Sequence, residues 1–370
     1  MLEEAGNFWR KLRKRRRQRR GYKSEEEIVV QLYRGYRSTE KLYVEGRVLE
    51  DEGIEVSEDD RLWRNMVNAI RRFESDEVAG ARVRVTYLGQ SYELVADPEG
   101  YIKLYEEVTV QPTDEPWEGI EATLLELPFG NHSEEPFAGE VADLSQEATY
   151  AVVTDIDDTL LKTHITSLFK LKALYHTVVD NSYTRMAFPG APELYQQLYN
   201  GPGPEQENNP VFYLSRSPWN LYDMLEHFLD IKGFPKGPIF LRDVGLPYKN
   251  TPSEYGHKEG TLLRLIRDFP TLKFICIGDS GEKDADIYSA VAAKHPDRIA
   301  AVIIRNVKNN KNARRIARMF ARKRPEDHFY LVKDSVEAAA RLRQLGHLTE
   351  AQVDLVSESI GRDAPTAAHA

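Results

Sequence analysis

The rhythm of apolar positions changes near residue 146. Before it, short apolar stretches alternate with polar residues at period two. Ala81-Arg82-Val83-Arg84-Val85-Thr86-Tyr87 is the clearest example, and Ile28–Tyr33 and Lys41–Leu49 read as further strands. Asp97-Pro98-Glu99-Gly100-Tyr101 is a turn with another strand from Ile102, and residues 59–75 carry one helical pattern. Short strands separated by turns predict a mostly antiparallel β-sandwich over residues 25–145. After residue 146, compact apolar strands alternate with helical patterns. The strands are Tyr150–Thr154, Val211–Leu214, Ile239–Leu241, Lys273–Ile277, Ile299–Ile304 and Phe329–Val332. The helices fall at 191–200, 219–231, 258–268, 284–295 and 334–344. This alternation predicts an α/β domain over residues 146–348 with a doubly wound parallel sheet, whose ligand site lies beyond the carboxyl ends of the strands. Residues 349–370, ending in an Ala-rich run, read as a loose tail.

Charge adds a fourth segment. Residues 10–23 hold ten Lys/Arg and no acid, so a net charge of −9 with +10 in this arm leaves −19 for the rest. A basic arm over residues 1–24, on an acidic body, fits an anionic surface as partner. Phe8 and Trp9 precede the basic run, a mixture suited to a lipid headgroup layer; a merely solvated tail is the alternative. The single cysteine, Cys276, excludes an internal disulfide framework. No apolar run is long enough to span a bilayer, and the basic stretch leads into Glu25-Glu26-Glu27 with no signal-peptide apolar core. A cytoplasmic protein, with peripheral membrane contact through the arm, is expected; nucleic acid is the less favoured partner.

The candidate chemistry sits at strand ends. Val152-Val153-Thr154 runs directly into Asp155-Ile156-Asp157-Asp158-Thr159. Packing gives no reason to gather three carboxylates there, because like charges repel. A hard divalent cation such as Mg²⁺, with phosphate oxygens completing its shell, resolves the conflict; an acidic turn capping the next helix is the plainer alternative. Val211–Leu214 ends in Ser215-Arg216-Ser217-Pro218, a hydroxyl and helix start able to hold phosphate. Lys258, after His257, heads a helical pattern and can offset phosphate charge. Phe274–Ile277 runs into Gly278-Asp279-Ser280-Gly281-Glu282-Lys283-Asp284, which brings Asp279 and Asp284 towards the same cation.

In this order and spacing, Asp155-x-Asp157-x-Thr159, Ser215, Lys258 and Gly278-Asp279…Asp284 resemble the four motifs of the haloacid dehalogenase superfamily of phosphatases, with its Rossmann-like sheet. Phe188-Pro189-Gly190-Ala191-Pro192-Glu193-Leu194 is similar to the helix start that precedes its second motif. Within the superfamily, Tyr213–Asn220, Leu241-Arg242-Asp243, His257-Lys258 and Gly278–Asp284 resemble the actin-patch-associated phosphatidate phosphatase family and its bacterial relatives. The resemblance spans roughly residues 146–310 and leaves the basic arm outside. It implies that Asp155 is the nucleophile and Asp157 the general acid and base. It implies Ser215, Arg216 and Lys258 as phosphate ligands, and Asp155, Asp157, Asp279 and Asp284 as the Mg²⁺ site.

The implied substrate is phosphatidate, giving diacylglycerol. About thirty residues between the first motif and Pro189 have room for a cap, with Leu161, Ile165, Leu168 and Tyr175 near helical spacing. Two other readings stay open on the residues alone. One is the same chemistry on a soluble phosphate ester; the other is a non-enzymatic protein that binds an anionic surface.

Overall fold

The computed structural model of the protein describes residues 27–51, 77–109, 111, 115–128, 135–144, 148–156, 188–242, 256–307 and 310–363. The basic arm, the helical pattern at 59–75 and the cap segment lie outside these residues. The chain divides into two compact units, one of residues 1–37, 41–141 and 243–249, the other of residues 38–40, 142–242 and 250–370.

The first unit is built on β1 (Glu27–Leu32), β2 (Gly35–Arg37), β3 (Lys41–Asp51), β4 (Arg82–Tyr87), β5 (Gln90–Val95), β6 (Tyr101–Glu107), β7 (Trp117–Glu126) and β8 (Phe137–Asp143). They join one sheet in the order β1-β3-β2-β8-β7-β4-β5, with β6 on β3. Pairs β1–β3, β3–β6, β4–β5 and β4–β7 are antiparallel, as the short alternating strands predict. The alternation is explained by burial. On β4, Val83, Val85 and Tyr87 enter the core while Arg82 and Arg84 stay in water. Val30, Val44, Val48, Leu104, Ile120 and Leu124 share that core.

The second unit holds a six-stranded sheet. Its strands are β9 (Tyr150–Asp155), β10 (Val211–Pro218), β11 (Ile239–Arg242), β12 (Lys273–Asp279), β13 (Ile299–Arg305) and β14 (Phe329–Val332). The order is β11-β10-β9-β12-β13-β14 and every pairing is parallel. The helices are α1 (Ala191–Asn200), α2 (Tyr222–Ile231), α3 (His257–Asp268), α4 (Asp284–Lys294), α5 (Asn310–Phe320), α6 (Ser335–Gln344) and α7 (Glu350–Asp363). Strand β9 is buried along its whole length, which is why Tyr150–Val153 is an unbroken apolar run rather than an alternation. The chain passes from β9 outward to β10 and β11, then returns to β12 on the other flank of β9. The strand order therefore reverses between β9 and β12, and a crevice opens beyond their carboxyl ends.

Two features differ from the sequence reading. The tail expected after residue 348 is a helix, α7, as far as Asp363. Val353 and Val356 are buried, Ile360 packs on Gly190 at the start of α1, and Gln352 Nε2 donates to the Gly201 carbonyl at 2.7 Å. Helix α5 was also not expected. In both helices the buried stripe is narrow, Val353–Val356 and Ala313–Ile316–Phe320, and a stripe of so few residues is faint against a polar background.

Candidate active site

The register of the parallel sheet brings the acid-terminated strands together. Leu214 of β10 pairs with Asp155, and Ile277 of β12 pairs with Thr154. Asp155 and Asp279 thus leave adjacent strands at the point where the strand order reverses, and Ser215 follows one residue beyond the pairing with Asp155. All three are fully buried. Behind the strand end, Thr154 Oγ1 and the Tyr195 hydroxyl of α1 share a hydrogen bond of 2.6 Å. Burial raises the Tyr195 phenol well above its ordinary value, so it stays neutral.

Helix starts deliver the remaining groups. Gly256, with φ 76° and ψ −140°, turns the chain into α3 through backbone space that an L side chain rarely enters. Two residues on, Lys258 points into the crevice with 1% of its surface exposed. Its ammonium donates to Asp155 Oδ1 at 2.5 Å, Asp284 Oδ1 at 2.8 Å and Glu282 Oε2 at 2.9 Å. Asp284 opens α4 and lies against Gly278. A Cβ at residue 278 would stand 2.6 Å from Asp284 Oδ2 and 2.7 Å from Asp284 Cβ, so only glycine permits that approach. The loop between is folded on Asp279, whose Oδ1 accepts from the backbone N–H groups of Gly281 and Glu282.

The charge balance is uneven. Carboxylate oxygens of Asp155, Asp279 and Asp284 come within 4.8 Å of one another, all buried, and Glu282 adds a fourth acid beside the buried Lys258 ammonium. Arg216 Nε reaches Glu282 Oε2 only at 3.5 Å, from the partly exposed rim. Burial pushes the Asp284 carboxyl up to about 6; Lys258 opposes that rise, while Asp279 and Glu282 add to it. A cluster this negative and this dry calls for further positive charge. Its donors are all hard oxygens, the set that suits Mg²⁺. The chemistry of the donor set therefore fits a divalent cation.

Of the residues singled out in the sequence, Asp155, Lys258, Asp279 and Asp284 are brought into one cluster, Ser215 and Arg216 stand at its edge, and Asp157 lies outside the described residues. His257 is turned to the main chain, with Nε2 3.2 Å from the Phe240 carbonyl. Sequence reasoning assigned no part to Glu282, although its place between Asp279 and Asp284 was a usable signal. It also passed over a cavity of about 510 Å³ beside the cluster, lined by Arg216, Gly281, Glu282, Asp286, Asn312 and Arg315 among others.

A parallel doubly wound α/β domain with a buried carboxylate–ammonium cluster at its switch point is the class that fold and site define. Residues 150–306 match the family model "Phosphatidate phosphatase APP1, catalytic domain". Phosphatidate phosphatase APP1 of Saccharomyces cerevisiae is 28% identical over 188 residues, 50% of this chain and 31% of that protein. An uncharacterized protein of Schizosaccharomyces pombe is 26% identical over 218 residues, 58% of this chain and 34% of the other. The chain thus spans about a third of the length of these curated relatives. Among solved structures, a carbohydrate acetylesterase from Xanthomonas citri aligns over 74% of this chain and 66% of its own, at 8% identity and a TM-score of 0.26, too low to establish a shared fold.

Proposed function

We propose that the protein is a Mg²⁺-dependent phosphatase of the haloacid dehalogenase type that hydrolyses phosphatidate to diacylglycerol through an aspartyl phosphate on Asp155. The observation that carries this reading is the contact of the Lys258 ammonium with Asp155, Asp284 and Glu282 at the ends of two acid-terminated strands. In this reading residues 1–24 are a basic arm, 25–145 a β-sandwich and 146–348 the catalytic domain, working in the cytoplasm at a membrane surface.

The steps follow from the residues. An Asp155 carboxylate oxygen attacks phosphorus, and the bond from phosphorus to the glycerol oxygen breaks. Asp157 gives its proton to the leaving oxygen, then takes one from the water that attacks the aspartyl phosphate, releasing phosphate and restoring Asp155. Lys258 holds Asp155 in place, offsets charge on the attacking side and, with Ser215 and Arg216, binds phosphate oxygens. Mg²⁺, held by Asp155, the Asp157 carbonyl and Asp279, with Asp284 on it directly or through one of its ligands, would supply neutralisation of the charge on those oxygens.

The test is phosphate release from phosphatidate vesicles and from a short-chain soluble phosphate ester, in metal-free and Mg²⁺-supplemented buffer. Activity is expected only with Mg²⁺, and Asp155→Asn is expected to abolish it, because an amide is a poor nucleophile. Full turnover without metal, or appreciable turnover by the variant, refutes the mechanism. Turnover of the soluble ester alone refutes the lipid substrate.

A further inference from the structure

Helix α5 and the turn after it carry a cationic stripe. Lys311 and Arg315, and Arg314 and Arg318, are exposed pairs four residues apart on adjoining rows of α5, so they share one face, and Arg322 is exposed in the turn that follows. Ala313, Ile316 and Phe320 are buried on the opposite face and fix the helix to its own unit. The stripe therefore points to water by construction. Helix and turn together present five cations. Among the described residues no carboxylate pairs with Arg314, Arg318 or Arg322. The stripe lies beyond residue 306, outside the stretch that matches the family.

Its position joins it to the site. Arg315 makes a two-pronged ion pair with Asp286, at 2.6 and 2.8 Å, in the first turn of the helix that Asp284 opens. Arg315 and Asn312 line the same cavity as Arg216, Gly281 and Glu282. The cavity beside the catalytic cluster is thus flanked by the stripe.

We infer that the solvent face of α5 is a docking surface for an anionic lipid bilayer, which sets the cavity beside the catalytic cluster against the membrane plane. This rests on the proposed lipid substrate and deepens it: a headgroup phosphate taken from a bilayer must enter from that plane. Charge complementarity selects the occupant, since each arginine near such a surface strengthens adsorption about fivefold. Single-stranded nucleic acid fits less well, because it stacks its bases on exposed aromatic rings and the one aromatic residue of α5, Phe320, is buried.

The experiment compares full-length protein with the triple variant R314Q/R318Q/R322Q, none of whose changed residues belongs to the catalytic cluster. Sedimentation is measured with phosphatidylcholine vesicles containing phosphatidylglycerol, an anionic lipid that is not the substrate, beside hydrolysis of phosphatidate in vesicles and of a soluble ester. The basic arm is the same in both proteins, so its contribution cancels in the ratio. The triple variant should bind on the order of a hundredfold more weakly at low salt, lose activity on vesicles, and keep turnover of the soluble ester. R314K/R318K/R322K should restore binding, which separates charge from damage to the helix. Equal vesicle binding by wild type and triple variant overturns the proposal. So does intact vesicle binding with loss of binding to an oligonucleotide. If wild type binds through the stripe yet hydrolyses no phosphatidate, docking stands and the proposed substrate falls.

Discussion

An ammonium as deeply buried as that of Lys258 costs several kcal/mol unless carboxylates surround it, and here Asp155, Asp284 and Glu282 do. The same burial, with Asp279 and Glu282 close by, pushes Asp284 up, so the cluster is poised for more positive charge than Lys258 supplies. The two proposed carboxylate roles separate by leaving group. Asp157→Asn should slow the phosphorylation step on an alkyl phosphate such as phosphatidate by roughly 10²–10⁴-fold, since a glycerol alkoxide must be protonated as it departs. An aryl phosphate needs less protonation, so its loss should be smaller; equal losses in single-turnover measurements on the two substrates would remove Asp157 from that role. Asp155, Asp279 and Asp284 were legible as residues because acids gathered after an apolar strand have no packing explanation, whereas Lys258, alone a plain surface lysine, was legible only from its place in the order of motifs. The part of Glu282 was missed: its place between Asp279 and Asp284 was a signal, but a glutamate in a polar loop looks solvated until α3 brings Lys258 to it.

At the scale of elements, the close approach of α4 to β12 depends on Gly278. Gly278→Ala would force Asp284 away, an overpacking cost of about 1–3 kcal/mol. Melting should drop by about 2–4 °C per kcal/mol for a unit of this size, and the Mg²⁺ needed for half-maximal activity should rise. A variant with unchanged Tm and unchanged Mg²⁺ dependence would show that Asp284 needs no such approach. A second element contact sets a pH dependence. Between α6 and α7, the His347 ring meets Tyr150 of β9 edge-on, with centroids 4.8 Å apart. Burial, helped by His328 and Lys273, lowers the His347 pKa below its ordinary value. The unfolded chain therefore binds a proton that the folded one refuses, and stability falls as pH drops from about 6.5 towards the folded value. His347→Gln should flatten the fall of Tm between pH 7 and pH 5, while an unaltered slope would assign the acid sensitivity elsewhere, His227 being also lowered by burial. The six strands of the parallel sheet, β1, β3, β4 and β6 of the antiparallel one, and five of the helices were readable from periodicity, whereas β2, β5, β7 and β8 were not. Helices α5 and α7 were not, because their short apolar stripes acquire meaning only from the surfaces they meet.

For the whole molecule, the charge of the basic arm argues for a surface role whatever its conformation. Deleting residues 1–24 should lower activity on phosphatidate vesicles by at least about tenfold at low salt and leave a soluble ester nearly unaffected, since the arm holds no candidate catalytic residue. The effect should shrink as the Debye length falls from ~10 Å at 0.1 M salt to ~3 Å at 1 M. Equal vesicle activity for both chains would mean the arm is no tether. Among the described residues no helix is long and apolar enough to cross a membrane. The sequence alone determined the alternation of strands and helices, the parallel sheet and the acids at its carboxyl edge, because apolar periodicity and clustered like charge are local signals. Only the tertiary structure decided that β9 and β12 are neighbours at the reversal of strand order, that Lys258 sits among three carboxylates from two distant segments, and that α5 sets Arg315 beside the adjoining cavity. Those facts join residues far apart in the chain, and the packing that joins them leaves no local pattern.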